Sequence, residues 1–247
     1  MRSARATFVF IAAFAGLTPG SAAEEPPPVK VDFTYATDAV FRGIAQAGDS
    51  LQADVELSRD EWRAGLRTSE PMAHGARRVD LQAGYHWQAT DTLSIEASLA
   101  HAWYGDVPGG GVDRSAEAGL TASLASVGGF VPSFSYRHDF RFRADTVELA
   151  VARSVALTKW GAFLEFNFFV GAAKGADWRP DAAGARRRDG YIYWGGEVSL
   201  PYRVGAHATV VAGLHAAGNS GRSELNGPFG RPSASILWGT LGVSLDF

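Results

Sequence analysis

The chain has 247 residues, of which 46% are hydrophobic, 12% aromatic and 20% charged, with 29 glycines and no cysteine. That apolar content excludes wholesale disorder, and the lack of cysteine excludes disulfide frameworks, thiolate metal sites and cysteine nucleophiles. A formal charge of -3 offers no basic field for nucleic acid.

Arg2 and Arg5 precede an apolar run from Ala6 to Leu17, and Ser21-Ala22-Ala23 places small residues before Glu24. Residues 1–23 therefore read as a secretory signal peptide, and Glu24 to Pro28 as a short flexible leader. Without Arg2 and Arg5, 21 basic residues face 26 acidic ones, a charge of -5. No later segment is long and apolar enough for a transmembrane helix, so an exported chain of this kind either stays soluble or spans a membrane as strands.

From Val29 onward the pattern has period two. Val31, Phe33 and Tyr35 alternate with Lys30, Asp32 and Thr34; Leu51, Ala53, Val55 and Leu57 alternate with Gln52, Asp54, Glu56 and Ser58. Alternation of this kind specifies a strand with one apolar and one polar face. Further segments follow at 62–68, 78–88, 93–104, 115–125, 130–142, 146–157, 162–172, 191–200, 206–216 and 234–247, giving about twelve strands. Many reach the roughly 9 to 11 residues that a tilted strand needs to cross a bilayer.

The links sort by length. Residues 89–92, 126–129, 158–161 and 201–205 are short, whereas 69–77, 105–114, 173–190 and 217–233 are longer. That sorting predicts an all-β, antiparallel, up-and-down transmembrane barrel over 29–247, with tight periplasmic turns and longer external loops. The aromatics point the same way: Trp62, Trp87 and Trp160 fall towards one interface, and Phe41, Trp103, Phe140 and Phe142 towards the other. Leu241, Val243, Leu245 and Phe247 end the chain in alternation. A terminal Phe there suits the signal read by the outer-membrane assembly machinery. The expected location is the outer membrane of a Gram-negative bacterium, in contact with its lipids.

With the apolar face towards lipid, parity sends the polar face inwards. The expected pore-lining residues are Arg42, Arg63, Arg67, Arg78, Arg137 and Arg141, with Glu56, Glu96, Glu165 and Glu197; Arg143 shares their parity. Strand direction puts Arg42, Arg67, Arg78 and Arg141 near the external mouth and the four glutamates at mid-depth or below, which leaves ion preference open. Confined charges must be paired or hydrated, so these residues either stiffen the barrel as ion pairs or line a path for small hydrophilic solutes, and the two are compatible. Twelve strands lie between the filled eight-stranded barrels and the open sixteen-stranded porins, which suits a narrow passage.

Phe41-Arg42-Gly43, a short polar link and then Leu51-Gln52 resemble the first hairpin of the TorF-type porin family of outer-membrane proteins. The resemblance carries over Phe41, Arg42, Gly43 and Gln52, with Gly65 as a further match, and implies a barrel of this size with a transport role. Ala39-Val40 stands where that family usually has an aromatic. By parity Arg42 faces the lumen, while Gly43 permits a turn and Phe41 meets the external interface.

Two other function classes compete with a porin. A barrel lipid hydrolase would set a histidine and a serine on the apolar face near the external rim; His101 and His138 lie on that face, followed two residues on by Trp103 and Phe140. His215 with Asn219-Ser220 is a loose cluster that does not promise a base-nucleophile hydrogen bond. His207 and His215, both inward by parity, lack a third ligand for a metal. Gly109-Gly110-Gly111 lies in no phosphate-binding context. A non-catalytic scaffold, resembling the MipA proteins that bind envelope enzymes, is the other class. The reading is a porin, with no catalytic residue, cofactor or metal.

Overall fold

In the computed structural model the described residues are 29–73, 77–105, 114–141, 143–158, 162–176, 188–220 and 235–247. The expected leader segments, Trp160, Phe142 and Gly109–Gly111 lie outside them. The strands are β1 (Val29–Ala36), β2 (Ala39–Phe41), β3 (Ile44–Ala47), β4 (Ser50–Arg59), β5 (Trp62–Pro71), β6 (Arg78–Thr90), β7 (Leu93–Tyr104), β8 (Arg114–Leu124), β9 (Val131–Asp139), β10 (Ala144–Leu157), β11 (Ala162–Ala176), β12 (Arg188–Arg203), β13 (Ala208–Asn219) and β14 (Ser235–Asp246).

All except β2 and β3 join one closed antiparallel barrel of twelve strands, in which each strand pairs with its neighbours in sequence and β1 closes the ring against β14. Closure is what allows such a structure to leave no unpaired sheet edge. At its lower end Val29 and Phe247 exchange backbone hydrogen bonds, so the first and last described residues meet beside the short turns.

Alternation divides the wall as the sequence predicts. Phe33, Leu51, Leu66, Leu81, Leu99, Leu120, Leu149, Val170, Leu214 and Leu241 are large, exposed and outward. So broad an apolar belt, on a barrel whose opposite face is polar, matches acyl chains rather than water. Trp62, Trp87 and Tyr202 stand on it towards the short turns, and Trp103, Phe140 and Trp194 towards the long loops.

Several expectations are corrected. The chain leaves the wall at Ala36, so Phe41 belongs to the separate β2-β3 hairpin and not to the end of the first strand or the outer aromatic girdle. β9 stops at Asp139, which already pairs with Ala144 of the returning strand, and Arg143 has a left-handed conformation (φ 47°). Arg141 and Arg143 are therefore exposed turn residues, and the expected strand over 130–142 is shorter. The Asp139 carboxylate accepts the Arg141 N–H, an Asx-type bond that favours turning over extension. His207 lies in the turn before β13 rather than on it.

Leu149 pairs with Val170 and Phe134 near mid-height and is 59% exposed on the outer face. Leu149→Arg should cost about 2–4 kcal/mol in a bilayer. Denaturant unfolding of the vesicle-inserted barrel, followed by its heat-modifiable gel mobility, measures that loss.

Candidate functional site: the lumen and its inward hairpin

The thirteen positions between Ala36 and Ser50 do not extend the wall. Ala36 and Ser50 pair directly across β1 and β4, so the wall is continuous beneath the insertion. The insertion forms a hairpin in which Phe41 pairs with Ile44 across a two-residue loop, Arg42-Gly43. Both loop residues have positive φ, 49° and 73°, the requirement of the type I′ turn that matches strand twist. Gly43 is required a second time by space: a Cβ there would collide with the Gly218 carbonyl and with Cβ of Tyr193.

Three contacts fold this hairpin into the barrel. Val40 is buried against Ala217 and Trp238, with Ile236 beside them, making a small apolar cluster on the inner side of β13 and β14. The Asn219 amide donates to the Gly43 carbonyl at 2.6 Å. At the tip, the Arg42 guanidinium lies 4.3 Å over the Phe41 ring and donates to Glu117 Oε2 at 2.7 Å. Glu117 is on β8, which in the ring of twelve lies five strands from β1 in one direction and seven in the other. The hairpin thus crosses the lumen and is pinned on the far wall.

Glu117 also holds Arg137 of β9 at 3.6 Å, so one carboxylate serves two guanidiniums. Burial pulls the Arg42 pKa down, but the adjacent Glu117 carboxylate, together with Tyr193 and Tyr191, outweighs that and leaves it above its ordinary value, so the tip stays charged. Around this clasp the upper lumen is filled by paired groups. Arg67 donates to Asp54 at 2.6 Å, Arg78 to Asp80 at 2.7 Å beneath the Tyr104 ring, and the Tyr193 hydroxyl to Glu148 at 2.8 Å. Arg78 is 1% exposed. Charges this dry persist only when bonded, and each has its acid at hand.

The lower lumen is wetter. Arg63 and Glu96 approach to 3.4 Å with side chains 39% and 37% exposed. Glu56 is bonded by Ser58 and Glu165 by Ser199. Between the two levels, Glu197 meets His215 Nδ1 at 3.2 Å; the same buried imidazole reaches Thr240 at 2.9 Å and stacks on Trp238 under the hairpin.

Of the expected lumen residues, Arg63, Arg67, Arg78, Arg137, Glu56, Glu96, Glu165 and Glu197 are on the inner face of the wall, Arg42 is in the lumen on the hairpin, and Arg141 is outside it. Gln52 faces inwards beside Ser50. A Cβ on Gly65 would press on the Gln82 side chain. Sequence reading missed the inward Ile236, Trp238, Tyr104, Tyr193 and Asn219, all of which stand on the polar parity of their strands.

On the outer face, His138 Nδ1 is 2.9 Å from Asp145, which also accepts from the Tyr136 hydroxyl. His101 packs on Trp103 at 4.3 Å. Among the described residues neither imidazole is bonded to a serine, and no group of three His, Asp or Glu could hold a metal. Asn219 is engaged by the hairpin and Ser220 accepts the Ile192 N–H, so they form no site with His215.

No family model and no curated protein matches the chain. Among solved structures it is similar to the NanC porin (TM-score 0.57, 11% identity, 89% of this chain and 100% of that one). It is similar to the KdgM porin, solved in complex with disordered oligogalacturonate (TM-score 0.57, 11% identity, 88% and 99%). LpxR from Salmonella typhimurium is also similar (TM-score 0.53, 10% identity, 88% and 100%). At these identities the likeness is one of fold, and it runs nearly the whole length of each barrel.

Removing the carboxylate at the clasp would strand Arg42 and Arg137 without their shared acid, a loss of about 3 kcal/mol for a buried pair. In Glu117→Ala the hairpin should leave the lumen and expose the Arg42-Gly43 bond. Trypsin added to the reconstituted barrel should then cut after Arg42, where the wild-type protein resists.

Proposed function

We propose that the chain is an outer-membrane porin, which lets small hydrophilic solutes cross passively through a polar lumen narrowed by the β2-β3 hairpin. The observation that carries this reading is the hairpin itself. A barrel kept only as a scaffold has no need to span its own interior with an insertion; a barrel that must limit what passes does. The belt of outward apolar residues supports placement in a bilayer, and the polar inner wall supports water within it. That two barrels sharing the fold are porins supports the same reading.

Residues 1–23 would direct export, and the exposed Phe247 would be read by the outer-membrane assembly machinery of a Gram-negative bacterium. We group the chain with the TorF-type porins on Phe41-Arg42-Gly43 and Gln52. The first three of these form the tip that enters the lumen, which is a physical reason for their occurring together. Arg42, Arg67, Arg78 and Arg137 would frame the narrow part, and Arg63, Glu56, Glu96 and Glu165 the wider part below, with Glu197 between the two.

The direct pairing of Ala36 with Ser50 supplies the test, because a two-residue Asn-Gly turn can replace 37–49 without disturbing the wall. Purified wild-type protein in planar bilayers should show discrete conductance steps. The shortened variant should show steps larger by roughly threefold or more, as expected when a filled bore becomes open. Folded protein with no conductance in either form would overturn the reading, and equal conductance would remove the hairpin from it.

A further inference from the structure

The upper lumen is crowded with charge but carries little net field, because each arginine there sits against an acid: Arg42 and Arg137 on Glu117, Arg67 on Asp54, Arg78 on Asp80. The lower lumen is different. Its inner face presents three cations, Lys30, Arg63 and Arg203, against five acids, Asp32, Glu56, Glu96, Glu165 and Asp246, while Glu197 above them meets His215. Two of the cations are already committed to acids, Lys30 to Asp32 at 3.1 Å and Arg63 to Glu96 at 3.4 Å. Arg203 turns away to the carbonyls of Gly205 and Ala206 at the rim.

What remains is negative. Glu56 and Glu165 are hydrogen-bonded by serine hydroxyls, and although Lys30 stands opposite Glu56 in the register between β1 and β4, its ammonium is drawn to Asp32 and makes no salt bridge with either glutamate. Glu165 is within electrostatic reach of both Glu197 on the adjacent strand and Lys30, so one cation is shared among several acids. From this distribution we infer that the channel prefers cations, and that Glu56 and Glu165 set the preference. The inference rests on the porin reading and adds the charge of the solute to it: inorganic cations and small organic ammonium compounds pass more readily than carboxylates or phosphates. Acidic side chains lining a low-dielectric passage raise the local concentration of the opposite charge, as in other cation-selective pores.

The mechanism is electrostatic, so it must weaken with salt. The Debye length falls from about 10 Å at 0.1 M to about 3 Å at 1 M, so the reach of these carboxylates shrinks as salt rises. A polar sieve that discriminates by size alone would not respond in that way.

Reversal potentials of the full-length mature barrel in planar bilayers, under a KCl gradient, test the inference. Near 0.1 M salt potassium should permeate about three- to tenfold better than chloride, and the ratio should decline towards unity near 1 M. In the double variant Glu56→Gln with Glu165→Gln, which keeps both serine bonds available, the ratio near 0.1 M salt should fall at least twofold. Heat-modifiable mobility establishes that the variant is folded; should it not fold, the single Glu56→Gln must show a smaller fall in the same direction. A wild-type channel with no preference, or with chloride favoured, overturns this inference and leaves the porin reading standing. Folded barrels without conductance overturn both.

Discussion

The structure depends on the ring being closed at its shortest strand. β1 has eight residues and is bonded along both edges, to β14 and to β4, whereas β10, β11 and β12 have 14, 15 and 16. Those eight residues join the first and last walls of the barrel, and every other strand has only to follow its neighbour in sequence. Because β1 ends early, the upper part of β14 extends beyond its partner. Thr37 takes up part of that edge, donating its N–H to the Gly239 carbonyl and accepting the Gly239 N–H on its hydroxyl. The remainder is covered on the inner side, where Val40 meets Trp238 and Ile236. The early exit of the chain from the wall and the apolar patch that receives it are two aspects of one arrangement.

This arrangement explains why the interior has two regimes. Above, the hairpin takes the space that water would occupy, and the charges it encloses must be matched pair by pair. Below, beyond the reach of the hairpin, Asp32 and Glu96 keep cationic partners while Glu56 and Glu165 are held by serine hydroxyls. A solute moving through the barrel would meet first a constriction without strong net charge and then an acidic chamber. On the proposed porin reading, size and charge would be read at different depths by different residues.

Much of this was legible in the sequence because period two is a strong signal when one face meets lipid. The twelve wall strands, the sorting of short and long links and the inward parity of Arg67, Arg78 and Arg137 all follow from alternation. What alternation could not give was the departure from the wall. Residues 39–47 alternate only over short stretches, and the strand count gave no reason to treat them as anything but a loop. Phe41 was assigned to the outer girdle because aromatics near the end of a strand usually lie there, and Arg141 to the wall because parity continued past Asp139 while the backbone did not. The missed signal lay in the exceptions. Ile236, Trp238, Tyr104 and Tyr193 are large and apolar or aromatic at positions where parity calls for lumen-facing polar groups. An apolar residue facing inwards in a watery bore must be covered by something, and only an inserted segment could cover it.

Arg42-Gly43 shows how little sequence is needed to fix such a segment. A tight turn, one guanidinium and one buried valine bring it to a wall half a circumference away. Since Ala36 and Ser50 already pair beneath it, the continuity of the cylinder does not depend on the insert. The two parts can therefore diverge independently: one and the same frame could carry diaphragms of different reach or charge, and kinship among such proteins would be easier to trace in the staves than in the aperture.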